Sequence, residues 1–350
     1  MAKKHGNWSG QSASPSENKS GGSILIITLW TICFLSALAV SLGFGIRQKI
    51  ALLGRIDERD RLSFIAEAGV KRAIIQIKKE GDKIYDSLQD AWSNDPTVFS
   101  NIDINGGRFN VFYNLKNELS GYAELRFGLV DEESKININS ADMVTLEHLF
   151  KIALGLEEMQ AQELAASIVD WRDADSELSI PLGSAEGSYY RDLSYPYDAK
   201  NEPIEVLDEL LLVKGISQDI FFKLKDYVTI YGDGKVNVNT ASKVVLMALG
   251  LNEALADKII AFRYGADGIL NTQDDNVFKA TSEILPKLSQ FSSLSDSEAA
   301  KLSTVVDRFL ATKSNNFTVR SAANLNNRKN TLEVTCVISR SGKILYWLEV

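Results

Sequence analysis

The spacing of apolar residues near the N-terminus predicts one very long helix. Residues 24–46 are predominantly apolar and carry no charge, which is about the length that a helix needs to cross a bilayer. From residue 47 to residue 79, apolar side chains recur at steps of three and four, the spacing of one helical face. We therefore expect a continuous helix of about 55 residues, whose second half packs on a globular domain.

Strand-like and helical patterns follow this helix in separate blocks. β-Branched and aromatic residues alternate with polar ones on both sides of a long helical block. The predicted strands cover residues 108–115, 122–130, 317–320, 331–338 and 343–349. The predicted helices cover residues 143–154, 158–171, 206–213, 217–227, 242–249, 252–264 and 295–310. This order predicts a helical domain inserted into an α/β domain, and residues 339–342 predict a hairpin turn between the last two strands.

One short segment occurs twice in the helical block. Residues 135–141 read KININSA and residues 235–241 read KVNVNTA. Each segment alternates like a short strand and offers Ser140 or Thr240 as the N-cap of the helix that follows. We therefore expect the helical domain to be built from two related halves.

Composition and charge narrow the possible functions. The chain has 350 residues and a formal net charge of −8. Such a chain is a poor candidate for nucleic-acid binding, which requires a surplus of lysine and arginine on one face. Cys33 lies in the apolar run and Cys336 in a predicted strand, so no disulfide within the chain is expected. The two histidines, His5 and His148, are too few for a histidine-rich zinc site.

The residues around the apolar run indicate its orientation. Lys3, Lys4 and Lys19 precede it, so the positive-inside rule places the N-terminus in the cytoplasm and the remainder of the chain outside. A cleaved secretory signal is the alternative, because residues 37–39 form an A-x-A triplet of the type that signal peptidase uses. A retained membrane helix is favoured, because the apolar run continues through Ile46 and the helical pattern persists beyond it.

Two groups of polar residues in the helical block are candidate calcium ligands. They are Asp170, Asp173, Asp175 and Glu186 in the first group, and Asp267, Asn271, Asp274 and Asp275 in the second. Closely spaced carboxylate and amide oxygens suit calcium, although neither group has the glycine of an EF-hand loop. Solvated turn residues are the alternative. Calcium is favoured for the second group, whereas the first group is equally compatible with pairing to Arg172 and Arg191.

The sequence carries no recognisable catalytic motif. H-E-x-x-H, G-x-S-x-G and C-x-x-C are absent, and residues 231–236 lack the spacing of a phosphate-binding loop. Residues 210–217 are typical of a helix-hairpin-helix unit, a motif that often binds DNA backbones, but acidic residues flank Lys214. A purely structural hairpin is therefore favoured, and we expect a chain that is not an enzyme.

In this order, and along nearly the whole chain, these features resemble the minor pseudopilin K of the type II (general) secretion system. The residues that carry the resemblance are the Gly22-bounded apolar N-terminus with Leu29 and Trp30, residues 61–69, residues 170–175, Tyr189, Tyr190, residues 207–217 and residues 231–241.

The resemblance implies an α+β fold. A pilin-like domain has its long N-terminal transmembrane helix packed on an antiparallel sheet, and an all-α domain of the helix-hairpin-helix or SAM-like type is inserted into it. The implied segments are a leader at 1–22, a transmembrane and filament-core helix at 23–46, an amphipathic stalk helix at 47–80, a first pilin-like part at 81–141, an inserted helical domain at 142–311 and a second pilin-like part at 312–350.

The resemblance also implies processing and partners. Prepilin peptidase would cut after Gly22, and the new Ser23 amine would be methylated. Most pilin-like subunits carry glutamate at the fifth mature position, whereas this chain has Ile27 there, as is usual for the K subunit at a filament tip. Calcium, the minor pseudopilins I and J and the major pseudopilin follow as the expected ion and partners, but the family's calcium ligands are not transferred residue by residue.

The expected function is therefore that of a non-enzymatic subunit at the tip of the periplasmic pseudopilus. It would cross the inner membrane once and help initiate filament assembly for protein export across the outer membrane, without binding nucleic acid. The alternative from another class is a membrane-anchored nucleic-acid-binding protein that uses the helix-hairpin-helix unit, and an undetected hydrolase is a more distant one.

Overall fold

The structure is a computed structural model that describes Gly6, Gly10, residues 21–326 and residues 330–350. The leader expected at residues 1–22 therefore lies almost wholly outside the described residues. By its internal contacts the chain divides into two units, Met1–Asp60 and Arg61–Val350. The segment boundaries implied by the resemblance are finer than this division and stay a prediction.

One helix is far longer than the others. The α-helices are α1 (Gly21–Lys79), α2 (Pro96–Phe99), α3 (Met143–Leu154), α4 (Glu158–Arg172), α5 (Gly187–Arg191), α6 (Gln218–Leu224), α7 (Lys243–Ala248), α8 (Glu253–Tyr264), α9 (Ile284–Phe291) and α10 (Asp296–Phe309). Short 3-10 helices occur at Glu132–Ser134, Leu207–Leu212 and Thr281–Glu283. The continuous N-terminal helix expected from the sequence is confirmed, since α1 has 59 residues.

The strands form one antiparallel main sheet and several small ones. They are β1 (Ile102–Ile104), β2 (Gly107–Val111), β3 (Tyr113–Lys116), β4 (Ala123–Arg126), β5 (Val130–Asp131), β6 (Ile136–Asn137), β7 (Val228–Thr229), β8 (Val236–Asn237), β9 (Leu310–Ala311), β10 (Asn316–Leu325), β11 (Thr331–Ser339) and β12 (Ile344–Glu349). The main sheet has the order β1–β2–β10–β11–β12, and β5 also pairs with β10. The pairs β6–β7 and β8–β9 are parallel. The expected α+β class is therefore confirmed.

In the second unit, residues 61–79 of α1 pack one face on the main sheet. The buried residues of this face are Leu62, Ile65, Ala66, Val70, Ala73 and Ile77, which have the three- and four-residue spacing of one helical face. They share a core with Phe109 of β2 and Phe317 of β10. At Gly69 the helix lies so close to the sheet that a Cβ atom would overlap Ser321 Oγ and lie 3.0 Å from Phe109.

A second hydrophobic core lies in the helical region of the same unit. It contains Phe150 of α3, Ile168 of α4, Leu246 of α7 and Ile259 of α8, all fully buried. Strand β6 is followed by α3 and α4, and strand β8 is followed by α7 and α8. The order of one strand and two helices thus occurs twice, as the sequence repeat predicts.

The predicted N-caps of the repeat are wrong. Asp142 caps α3 by accepting a hydrogen bond from Thr145 N, and Ser242 caps α7 by accepting one from Val245 N. The expected cap Thr240 instead donates its hydroxyl to Asp131, which lies 109 positions earlier in the chain. This contact could not be seen from local sequence.

Further elements differ from their prediction, among them the strand expected at residues 122–130, which divides into β4 and β5. The strand expected at residues 108–115 divides into β2 and β3, because β3 leaves the main sheet to pair with β4. Residues 206–213 form a short 3-10 helix rather than an α-helix. Helix α9 was not predicted; its Pro286 occupies the first turn, where the missing N–H has no helical acceptor.

We predict that Gly69→Ala destabilises the second unit. The added methyl group has no space between α1 and β10, and overpacking of this kind costs about 1–3 kcal/mol. Thermal melting of the full chain in detergent should show a lower midpoint. Gly54→Ala is the matched control, because nothing lies within 4 Å of its Cβ position and alanine is the better helix former. An unchanged midpoint for Gly69→Ala would contradict the close packing.

Candidate functional site

Each half of the internal repeat holds one end of a long loop through an asparagine. In the first half, Asn139 Nδ2 donates to Ile204 O (2.9 Å) and Asn139 Oδ1 accepts from Ile204 N (2.8 Å). In the second half, Asn239 makes the same pair of bonds to Phe278 O and Phe278 N, both at 2.9 Å. We call these two-bond contacts the asparagine clamps.

An arginine holds the other end of each loop to the same repeated segment. Arg172, at the end of α4, donates to Ala141 O. Arg263, in the last turn of α8, donates from Nη1 to Ala241 O (2.5 Å) and Val238 O (3.4 Å). The loops at residues 173–203 and 265–277 are therefore equivalent, since each begins after the arginine and ends at the asparagine clamp.

The first loop brings together most of the first candidate group. Carboxylate oxygens of Asp173, Asp175 and Glu186 lie within 4.8 Å of one another. Asp170 is fully buried beside them, and its Oδ1 accepts from Ser179 N (3.0 Å). The charge of Asp170 contributes to raising the pKa of both Asp173 and Glu186.

Several oxygens of this first group are buried without a partner. Asp170 Oδ2, Asp173 Oδ1 and Glu186 Oε1 accept no hydrogen bond. Burial, followed by the charges of the neighbouring carboxylates, raises the pKa of Asp173, and burial together with those charges also raises the pKa of Glu186. Buried, unpartnered carboxylate oxygens at close range are costly without a cation or a proton. The donor set therefore fits a hard divalent cation.

The arginines that could have neutralised this group are engaged elsewhere. Arg191 forms its ion pair with Asp198, and the bond of Arg172 goes to a backbone carbonyl. Within the described part of the chain, neither arginine forms an ion pair with the first group. A direct ion pair with either arginine, the alternative left open by the sequence, is therefore not seen among the described residues. The charge of Arg172 only partly offsets the burial that raises the pKa of Asp173.

The second loop brings together Asp267, Asp274 and Asp275, whose carboxylate oxygens also lie within 4.8 Å of one another. These carboxylates accept several hydrogen bonds from their own loop. Thr272 Oγ1 donates to Asp274 Oδ1 (2.6 Å), and Asp267 N donates to Asp274 Oδ2 (3.0 Å). The hydrogen bond from Thr272, followed by the backbone bond from Asp267, lowers the pKa of Asp274 to about 2.

The remaining member of the second group, Asn271, has its side chain turned away from the carboxylates. With the amide oriented to suit its partners, Asn271 Nδ2 donates to Leu88 O (2.8 Å) and Oδ1 accepts from Arg126 Nη1 (3.2 Å). Its backbone N–H still donates to Asp275 Oδ2 (2.6 Å). Asn271 therefore joins the second loop to the segment before β1 and to β4.

The helix-hairpin-helix segment has its lysine directed inward. Lys214 Nζ donates to Gly183 O (2.9 Å) and Ser184 O (3.2 Å), and it lies 5.1 Å from the centre of the Tyr189 ring. A lysine held by two carbonyl groups contributes little to binding a phosphate backbone. This geometry favours the structural interpretation of the hairpin.

The candidate processing residues lie at the start of α1, in the first unit. Gly22 and Ser23 are helical and exposed. Among the described residues, the helix Gly22–Lys79 is the one long and apolar enough to cross a membrane, with a mean hydropathy of 2.4 in its most apolar window. The expected membrane helix is therefore supported by length and composition.

Comparisons of the sequence with known proteins all give one description. A family model described as type II secretion system (T2SS), protein K, matches residues 107–233. Type II secretion system protein K from Aeromonas hydrophila is 25% identical over 342 residues, which cover 95% of this chain and 97% of that protein. Protein K from Pseudomonas aeruginosa is 26% identical over 291 residues, which cover 80% of this chain and 75% of that protein.

The fold is also similar to a solved structure. The crystal structure of the GspK-GspI-GspJ complex from the type 2 secretion system of enterotoxigenic Escherichia coli contains a chain that matches with a TM-score of 0.63 and 18% identity. The match covers 85% of this chain and 99% of that chain. The resemblance to protein K of the type II secretion system, predicted from the sequence, is therefore confirmed by a family model and by relatives that cover 95% and 80% of this chain, and the solved structure shares the fold.

Proposed function

We propose that this chain is a non-enzymatic minor pseudopilin at the tip of the periplasmic pseudopilus of a type II secretion system. There it would help initiate filament assembly for protein export across the outer membrane. The observation that carries the proposal is the similarity to protein K over 97% of the Aeromonas hydrophila relative. The apolar helix, the sheet and the helical region therefore all have counterparts in one family of secretion subunits.

The first unit supports a role in an assembly. Apolar side chains from Ile24 to Ile46 are exposed around the helix, including Leu25, Trp30 and Phe34. A contiguous apolar surface of this size requires either lipid or other apolar helices around it. We infer that these residues cross the inner membrane with the N-terminus in the cytoplasm, and that they exchange lipid for neighbouring helices when the filament forms.

Position five of the proposed mature chain supports a place at the tip. Ile27 stands where most pilin-like subunits have a glutamate that pairs with the N-terminal amine of a neighbour. An apolar helix without this carboxylate offers no such ion pair to a subunit placed above it. The proposed partners are therefore pseudopilins I and J beside this chain, and the major pseudopilin below it.

We also propose that the chain binds calcium. The end of α4 supplies Asp170 and the first loop supplies Asp173, Asp175 and Glu186, of which Asp170, Asp173 and Glu186 have unpartnered buried oxygens. The second loop supplies Asp267, Asp274 and Asp275. Bound calcium would neutralise charge that the chain itself leaves uncompensated. The ends of both loops are fixed without calcium, by an arginine at one end and an asparagine clamp at the other.

We predict that the chain is isolated together with pseudopilins I and J. The full chain, extracted in mild detergent from cells that make it, should retain both proteins through washing, because exposed apolar helices favour association with each other over detergent. A single-pass membrane protein from the same extract is the control for trapping in shared micelles. Recovery of the intact chain without I and J would contradict the proposed assembly.

We predict that calcium raises the melting midpoint of the full chain relative to a chelator. At a free calcium concentration of about 100 times the dissociation constant, binding adds about 2.7 kcal/mol to the free energy of unfolding. The double variant with Asp173→Asn and Glu186→Gln should lose the contribution of the first loop. Glu177→Gln is the matched control, because Glu177 is exposed in the same loop and lies outside the carboxylate group.

A second variant distinguishes the two loops in this experiment. Asp274→Asn combined with Asp275→Asn removes two of the three carboxylates of the second group and leaves the first group intact. If calcium binds both loops, each double variant should retain part of the shift. An equal midpoint in calcium and in chelator for the unsubstituted chain would exclude the calcium proposal.

A further inference from the structure

Four buried carboxylates lie where the main sheet meets the second half of the repeat. They are Asp86, Asp131, Glu132 and Glu133, each at most 3% exposed, and we call them the junction cluster. None of the four belongs to the two acidic loops, and their role does not rest on the proposed function. Their neighbours come from β8, from the turn before α7, from the segment before β10 and from the β11–β12 hairpin.

Asp131 has the contacts of an ionised carboxylate. Its Oδ2 accepts from Asn237 Nδ2 (3.1 Å), Thr240 Oγ1 (2.5 Å) and Ser314 Oγ (2.6 Å). Its Oδ1 accepts from Glu133 N (2.8 Å). Four donors directed at one carboxylate favour its charged form. These bonds also join the repeat, through Asn237 and Thr240, to the segment that leads into β10.

Glu133 has a different environment. Its Oε1 accepts from Asn316 Nδ2 (2.7 Å) and its Oε2 from Asn316 N (3.0 Å). Both donors are neutral, and Asp131 is the acidic group whose charge acts on Glu133. Among the residues that the structure describes, no lysine or arginine forms an ion pair with Asp131 or Glu133. A second charge at Glu133 would therefore be buried and uncompensated.

The charge balance of the whole cluster leads to the same conclusion. Arg340 pairs with Asp86 (2.6 Å) and Lys135 pairs with Glu132 (2.7 Å), so full ionisation would leave two negative charges without a cation. Other titratable groups close to the cluster are Asp90, which faces Asp86, and Tyr231, which faces Glu132. Neither group supplies a positive charge. Burial at low dielectric then favours a proton over the excess charge.

The expected titration agrees with this balance. Burial, followed by the charge of Asp131, raises the pKa of Glu133 to about 8, and burial raises the pKa of Asp131 to about 6. Because the two groups interact, these values describe the pair. Because four donors surround Asp131, the negative charge of the pair lies on Asp131 and the proton on Glu133.

We propose that the junction cluster is a proton-dependent clamp between the main sheet and the second half of the repeat. At neutral pH a proton on Glu133 keeps the clamp closed. Loss of this proton at alkaline pH places two adjacent buried charges at the point where Asn237 and Thr240 bind Asp131, and it weakens the attachment of the helical region to the sheet.

The direction of the pH effect follows from linkage. Glu133 binds its proton more tightly in the folded chain than at its ordinary pKa of 4.5, so its stabilising effect is complete below pH 4.5. That effect is lost as the pH rises through the folded value of about 8. The melting midpoint of the full chain, measured in detergent and chelator, should therefore fall between about pH 5.5 and pH 8.5.

Two neighbouring variants separate this clamp from other titrating groups. Glu133→Gln has the size of the protonated side chain and cannot ionise, so it should reduce the fall in midpoint and melt higher than the unsubstituted chain at alkaline pH. Glu132→Gln is the matched control, because Glu132 is equally buried but paired with Lys135, Thr229 and Thr318. Glu132→Gln should lower the melting midpoint at every pH and leave the dependence of the midpoint on pH unchanged.

Two results would overturn the proposal. One is a midpoint of the unsubstituted chain that stays constant or rises with pH over this range. The other is an equal slope for Glu133→Gln and the unsubstituted chain. If the Glu133→Gln variant does not fold, infrared spectra of the unsubstituted folded chain test the same protonation state. They should show the carbonyl band of a protonated carboxyl group at neutral pH that disappears on alkaline titration, and absence of this band would equally overturn the proposal.

Discussion

The structure of the second unit depends on the close approach of α1 to the main sheet. The small residues Ala66, Gly69 and Ala73 lie on the buried face of the helix, so its backbone comes near Ser321 of β10. This contact buries the larger side chains on either side of it and gives the sheet its hydrophobic core. Other residues of the sheet, among them Asn316 and Thr318 of β10, form the polar contacts with the junction cluster.

Both halves of the helical region fix the ends of a long loop in the same way. A short strand followed by two helices leaves a long loop whose ends must be fixed, and each half fixes them with an arginine and an asparagine. Backbone groups at both ends are thereby satisfied although most of each loop has no regular structure. The loops can therefore carry closely spaced carboxylates, which would destabilise a helix or a strand, and this is where the proposed cation sites lie.

Local patterns in the sequence were sufficient for most of the long elements and insufficient for the contacts between them. Helix α3 has the predicted ends, because it has an amphipathic pattern and Gly155 follows it. The repeat marks Asn139 and Asn239, but their partners Ile204 and Phe278 carry no recognisable signal. The inward turn of Asn271 and the bond from Thr240 to Asp131 depend on residues that are distant in sequence. The carboxylates of both loops were found because charge density on a short segment is a local property.

In the proposed function, the apolar helix of the first unit is a retained filament helix that begins at a processed N-terminus. Mass spectrometry of the mature chain from cells that contain prepilin peptidase can determine where this chain begins. We expect a chain that begins at a methylated Ser23 and keeps the whole apolar run from Ile24 to Ile46. A chain that begins at Val40, or one that keeps its leader in these cells, would contradict this expectation.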